Sequence, residues 1–124
     1  MKAFVIIILM ISGIAIFNIM PNNALSHALF NHSEPRVGET VNNCPKQLRI
    51  WFDSPLETSS STVRVERDSG DRVDNFDGRV DPSDLTILEV NLPCLPPGTY
   101  RVSWKVISSD GHGTNGNFDF TINN

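Results

Sequence analysis

Along most of the chain after residue 27, apolar and polar residues alternate one by one, in short runs separated by turn formers. Leu48, Ile50 and Phe52 alternate with Arg49, Trp51 and Asp53, and Val63 and Val65 alternate with Arg64 and Glu66. In a third run Leu85, Ile87 and Glu89 lie opposite Thr86, Leu88 and Val90. Two longer runs follow: Tyr100, Val102, Trp104 and Val106 against Arg101, Ser103, Lys105 and Ile107, then Phe118, Phe120 and Ile122 against Asn117, Asp119 and Thr121. Successive side chains of a strand point to opposite faces, so a period of two marks a strand buried on one side. No segment in this region sustains a helical period.

Turn signals punctuate the runs: Arg36-Val37-Gly38-Glu39, Asp68-Ser69-Gly70-Asp71, Asp77-Gly78, Asp81-Pro82, Pro96-Pro97-Gly98 and Asp110-Gly111. About seven short strands at this spacing predict an all-β fold, an antiparallel Greek-key β-sandwich or barrel of immunoglobulin-like type. Tyr100 and Trp104 with Phe52, Phe118 and Phe120 are expected to fill the space between the sheets. Residues 68–84, rich in charge and glycine, are expected to form a solvated loop with one weak strand.

The first residues break this pattern. Lys2 is the only charge before an apolar run from Phe4 to Met20, interrupted by Ser12, Gly13 and Asn18 and closed by Pro21. That order is expected of a secretory signal peptide, and seventeen residues is near the lower limit for an uncleaved anchor spanning a bilayer. Small residues at −3 and −1 permit two cuts, after Ser26 or after Ala28. The first leaves His27 at the new N-terminus and the second leaves Leu29. A cut after Ser26 makes residues 1–26 the leader and residues 27–124 one small domain.

Export changes the reading of the cysteines. Cys44 and Cys94 are an even pair, each beside a proline just before a strand-like run, and a disulfide between them is the economical expectation. Closing about fifty residues stabilises a fold by roughly 4 kcal/mol in the chain-entropy account. Neither cysteine has the CxxC spacing of a thiolate metal site.

Charge mainly excludes. The whole chain carries a formal net charge of −4, and loss of Lys2 with the leader makes it −5. Nucleic acid and anionic membrane surfaces favour basic patches, so neither is expected as a partner. No GxSxG elbow or glycine-rich phosphate loop is present, and the carboxylates fall mostly in turns and at outward strand positions where solvation accounts for them.

Three histidines remain: His27, His32 and His112. Ser109-Asp110-Gly111-His112-Gly113 reads first as a hairpin turn, since Asp-Gly is a strong turn signal. It also sets a carboxylate and an imidazole two residues apart on a tight loop. An N-terminal His27 would add an amine and a ring nitrogen. Three nitrogens and one oxygen suit tetragonal Cu(II), which also exceeds zinc in intrinsic affinity at such a set.

The stretches "HALFNHSEPRVGETV", "CPKQLRIWFDSPLE" and "LPPGTYRVSWKVISSDGHGTNGNFDFTI" resemble the copper-resistance protein C (CopC) family over almost the whole chain after the leader. The resemblance implies a periplasmic or secreted β-sandwich that binds copper. It also implies Cu(II) ligation by the amine and ring of His27 together with Asp110 and His112, and so favours the cut after Ser26. Many members carry a second histidine where this chain has Leu29, and His32 matches no ligand. Some members hold Cu(I) on methionines, but Met1, Met10 and Met20 all lie in the leader, so a Cu(II)-only member is implied.

The expected function is sequestration of copper or its delivery to a membrane transporter or a cuproenzyme, by a monomer that is not an enzyme. Two other classes stand against it. A copper oxidase of the histidine-brace type would also use an N-terminal histidine, but Asp110 would fill the position kept open for oxygen. A metal-free interaction sandwich would use the Asp-Gly-His segment only as a turn.

Overall fold

A computed structural model describes residues 28–123; the expected leader and His27 lie outside the described residues. The described chain forms eight strands: β1 (Phe30–Glu34), β2 (Thr40–Val41), β3 (Gln47–Phe52), β4 (Thr62–Arg67), β5 (Arg79–Asp81), β6 (Asp84–Asn91), β7 (Gly98–Ile107) and β8 (Gly113–Ile122). They make two four-stranded sheets, ordered β1-β3-β6-β5 and β2-β8-β7-β4. The all-β sandwich expected from the period of two is what forms. The eighth strand is the two-residue β2, which pairs parallel to the end of β8 while every other pairing is antiparallel. Two residues are too few to show an alternation.

The alternating positions fall where their period puts them. Leu48, Ile50 and Phe52 of β3, Val63 and Val65 of β4 and Phe118, Phe120 and Ile122 of β8 are buried between the sheets with Tyr100, Val102 and Val106 of β7. In β6 the core takes Leu88 and Val90, while Ile87 and Glu89 are buried on the opposite face. Tyr100 keeps its ring in the core because its hydroxyl donates to the Pro96 carbonyl oxygen. Trp104 is half-buried, meets Phe52 edge-on at 5.1 Å, and lies against Gly116 directly across the β7–β8 pair. A Cβ at position 116 would come within 2.5 Å of that indole, so only glycine admits it there. Cys44 and Cys94 are joined, with Cα atoms 5.0 Å apart, and tie the approach to β3 to the exit of β6.

Two carboxylates depart from the expectation that solvation accounts for them. Asp74, inside the 68–84 loop, is 4% exposed, and Glu89 is 6% exposed. Glu89 sits among Arg49, Arg79 and Gln47 on the outer face of the first sheet. Asp74 accepts from the backbone N–H groups of Val65 and Phe76 and from Arg72 Nε. A buried carboxylate is tolerable only when its lone pairs are filled in this way. The loop also supplies β5, the one weak strand expected of it.

Candidate metal site

The β7–β8 hairpin is the longest paired element, running in register from Gly98↔Ile122 to Ile107↔Gly113. Residues 108–112 close it, so the Asp-Gly-His segment stands at one end of the second sheet. The turn forms because Ser108 N–H donates to the His112 carbonyl at 2.9 Å and Gly111 N–H to the Ser108 carbonyl at 2.9 Å. Gly111 has φ 91°, a left-handed conformation that side chains disfavour.

Within this turn Asp110 and His112 are brought together. Asp110 Oδ1 accepts from the His112 backbone N–H at 3.0 Å and lies 3.2 Å from His112 Nδ1. It also accepts from the hydroxyl of Ser108, which is fully buried. The Ser108 hydroxyl first, then the His112 backbone N–H, hold the Asp110 carboxyl down to a pKa of about 2. It is therefore an anion at any physiological pH. The His112 side chain is about half exposed at 49%, and that of Asp110 is 28% exposed. An ionised carboxylate and an imidazole on a hydrogen-bonded, accessible turn are donors that a divalent cation accepts.

The N-terminal segment is fastened beside this turn. Thr114, two residues after His112, donates through Oγ1 to the Ala28 carbonyl oxygen at 3.0 Å, and Ala28 is buried. Leu29 N–H donates to Asp53 Oδ1 at 2.7 Å, and Asp53 N–H returns a bond to the Leu29 carbonyl at 3.0 Å. Ser108, Thr114 and Asp53 were not singled out from the sequence. A serine two residues before an aspartate is a detectable spacing, but short polar groupings of this kind are too common to select one.

His32 lies elsewhere. The β1–β3 register shifts between Phe30, opposite Phe52, and His32, opposite Trp51. A strict period of two would put residues 30 and 32 on one face; the bulge at Asn31 puts them on opposite faces. Phe30 packs inward on Trp104 and Phe118, while the His32 ring stacks on Trp51 at 4.5 Å on the outer face of the first sheet. Among the described residues no group of three or more His, Cys, Asp or Glu side chains is placed to hold a metal ion. His27, the remaining residue of the expected ligand set, lies outside the described residues.

Comparison with known proteins gives a consistent family. A family profile described as the CopC domain matches residues 30–123. "Copper transport protein CutJ" of Bacillus subtilis is 31% identical over 104 residues, which are 83% of this chain but 19% of that protein. The chain thus spans about a fifth of that relative's length. "Copper resistance protein C" of Escherichia coli is 45% identical over 109 residues, covering 81% of this chain and 84% of the relative. Among solved structures, CopC from Methylosinus trichosporium OB3b superposes with a TM-score of 0.72 at 26% identity, over 78% of this chain and 94% of that one. PcoC from Escherichia coli, described as a methionine-rich copper resistance protein, gives 0.65 at 28% identity over 78% and 99%.

Proposed function

This chain belongs to the CopC family, and we propose that it is an exported protein that binds Cu(II) and sequesters it or hands it on, with copper as cargo. The ligand set of this reading is the α-amine and ring of His27, freed by cleavage after Ser26, with Asp110 and His112. The observation that carries it is the clamp on the N-terminal segment. Ala28, one residue from His27 in the chain, is bonded to Thr114, which is two residues from His112. The clamp holds Ala28, the first described residue, beside the turn, and this supports the reading.

The donors suit the ion. Asp110 needs no deprotonation to bind, and its negative charge offsets part of the cation's. An α-amine gives up its proton more readily than lysine does, and its six-membered chelate with the ring Nδ1 favours tetragonal copper. In contrast to the methionine-rich PcoC, the three methionines here are Met1, Met10 and Met20, so a mature chain from His27 offers no thioether to Cu(I). The receiver in this reading is a membrane copper transporter or a cuproenzyme, and the compartment is the periplasm or the exterior.

Copper titration of protein beginning at His27, against the same protein extended by one N-terminal residue, tests the reading. The extension leaves both imidazoles and removes the amine from chelation. Affinity is expected to fall by roughly a hundredfold, about 2.7 kcal/mol. Equal affinities would discard His27 as the anchor of the site.

A further inference from the structure

A groove of about 410 Å³ runs along the edge of the second sheet, between β4, the outermost strand, the end of β7 and the 72–78 loop. Its walls carry Arg64, Arg72, Lys105, Phe76 and Trp104. Phe76 is 70% exposed, with φ 60°, a left-handed conformation that a bulky residue adopts only when its surroundings impose it. The surroundings here are Asp74, which takes the Phe76 N–H on Oδ1 at 2.8 Å and the Val65 N–H on Oδ2 at 2.8 Å. Arg72, bonded to the same carboxylate, lays its guanidinium 4.3 Å over the Phe76 ring. A buried carboxylate thus holds an aromatic ring mostly in water, where it contributes little burial to the fold.

Every charged side chain lining the groove is a cation, in a chain whose net charge is −4. Arg64 and Arg72 are each tethered through Nε, to Glu66 and Asp74, which leaves the terminal guanidinium nitrogens for further acceptors. Lys105 is exposed beside them. Arginine forks and lysine recognise carboxylates, and the face of Phe76 that Arg72 does not cover is a surface on which another ring stacks. Because Arg64, Phe76 and Lys105 are all exposed, an occupant keeps one side in water. A chain segment fits that better than a small molecule, which pockets normally enclose.

We infer that this groove docks an acidic, aromatic-bearing segment of a partner protein. The groove ends at Thr62 and Lys105 on the side of the candidate metal site: Lys105 pairs with Thr62, the preceding Ser61 hydroxyl accepts from Ile107 N–H at 3.2 Å, and the turn begins at the next residue, Ser108. A partner seated here reaches the loop of Asp110 and His112 and is placed to exchange copper with it. That last step rests on the copper reading; the docking does not.

Copper-free protein separates the two. Amide shifts are followed while titrating an acetylated hexapeptide of four aspartates and two phenylalanines, with lysine-for-aspartate and alanine-for-phenylalanine peptides as controls. Saturable shifts confined to the neighbourhood of Arg64, Phe76 and Lys105 are expected for the acidic aromatic peptide alone. The double variant Arg64→Glu, Lys105→Glu should weaken binding at least tenfold. Phe76→Gly should weaken it comparably while melting at the same or a higher temperature, since glycine adopts positive φ without strain. Absence of saturable shifts, shifts centred elsewhere, equal binding of the lysine peptide, or undiminished binding by Phe76→Gly would each overturn the inference, whatever copper does.

Discussion

Two loops of this protein are organised around an aspartate, and they use it in opposite ways. In the 68–84 loop the Asp74 side chain is completely buried and both oxygens are taken by Val65, Arg72 and Phe76. In the β7–β8 turn Asp110 keeps 28% of its side chain exposed, and its contacts with Ser108 and His112 gather on Oδ1. Both accept a backbone N–H two residues on, the local bond that makes aspartate a turn former. The difference is burial. Asp74 turns its acceptors inward and serves as scaffold for Phe76, whereas Asp110 is positioned by Ser108 and stays partly exposed, the exposure that the proposed copper site would use.

The largest effect that could break this comparison is on stability. Asp74→Ala should destabilise the fold by about 3 kcal/mol in urea unfolding, because two N–H groups and a guanidinium lose a buried acceptor. Asp110→Ala should cost much less, as expected for a partly exposed site. Equal losses would mean that both aspartates are scaffold. Asp110→Ala should instead lower Cu(II) affinity by roughly ten- to a hundredfold, about 1.4–2.7 kcal/mol by competition titration, and Asp74→Ala should leave the affinity of the folded fraction unchanged.

A smaller effect sharpens the electrostatics. The Asp110 carboxyl stands at about 2 in the fold against 3.8 when unperturbed. A depressed pKa contributes stability that is fully present above the unfolded value and is lost as pH falls through the folded one. Melting temperature should therefore drop more steeply between pH 4 and pH 2 in the native protein than in Asp110→Asn, and the two curves should run parallel above pH 5. A parallel course down to pH 2 would show that the Ser108 and His112 bonds do not hold the anion.

The smallest expected effect is none. His32→Ala should keep Cu(II) affinity within about twofold, the scatter of independent sites, since its ring stacks on Trp51 on the outer face of the first sheet. A loss comparable to that of His112→Ala would place copper on the wrong sheet and require a site built around His32.

How much of this was legible in the chain itself follows from the range of each interaction. The alternation of Leu48, Ile50 and Phe52, or of Phe118, Phe120 and Ile122, is a property of neighbours along one strand, and burial of one face follows from it directly. The Asp110-Gly111 turn is equally local, because glycine at positive φ and an N–H bond two residues away need no distant partner. Even the pairing of Cys44 with Cys94 needed only an even count and the expectation of export.

Tertiary structure decided what depends on residues far apart in sequence. Whether His32 faced inward with Phe30 or outward onto Trp51 turned on one extra residue in the β1–β3 register, and a period of two is blind to such a bulge. Whether Asp74 was solvated or buried depended on β4 lying across it, and whether Ile87 faced the core depended on which side of β6 the second sheet covered. The approach of Ala28 to Thr114 spans 86 positions, and only the folded sandwich brings that end of the chain to the turn, because the contact is a single hydrogen bond with no sequence period of its own.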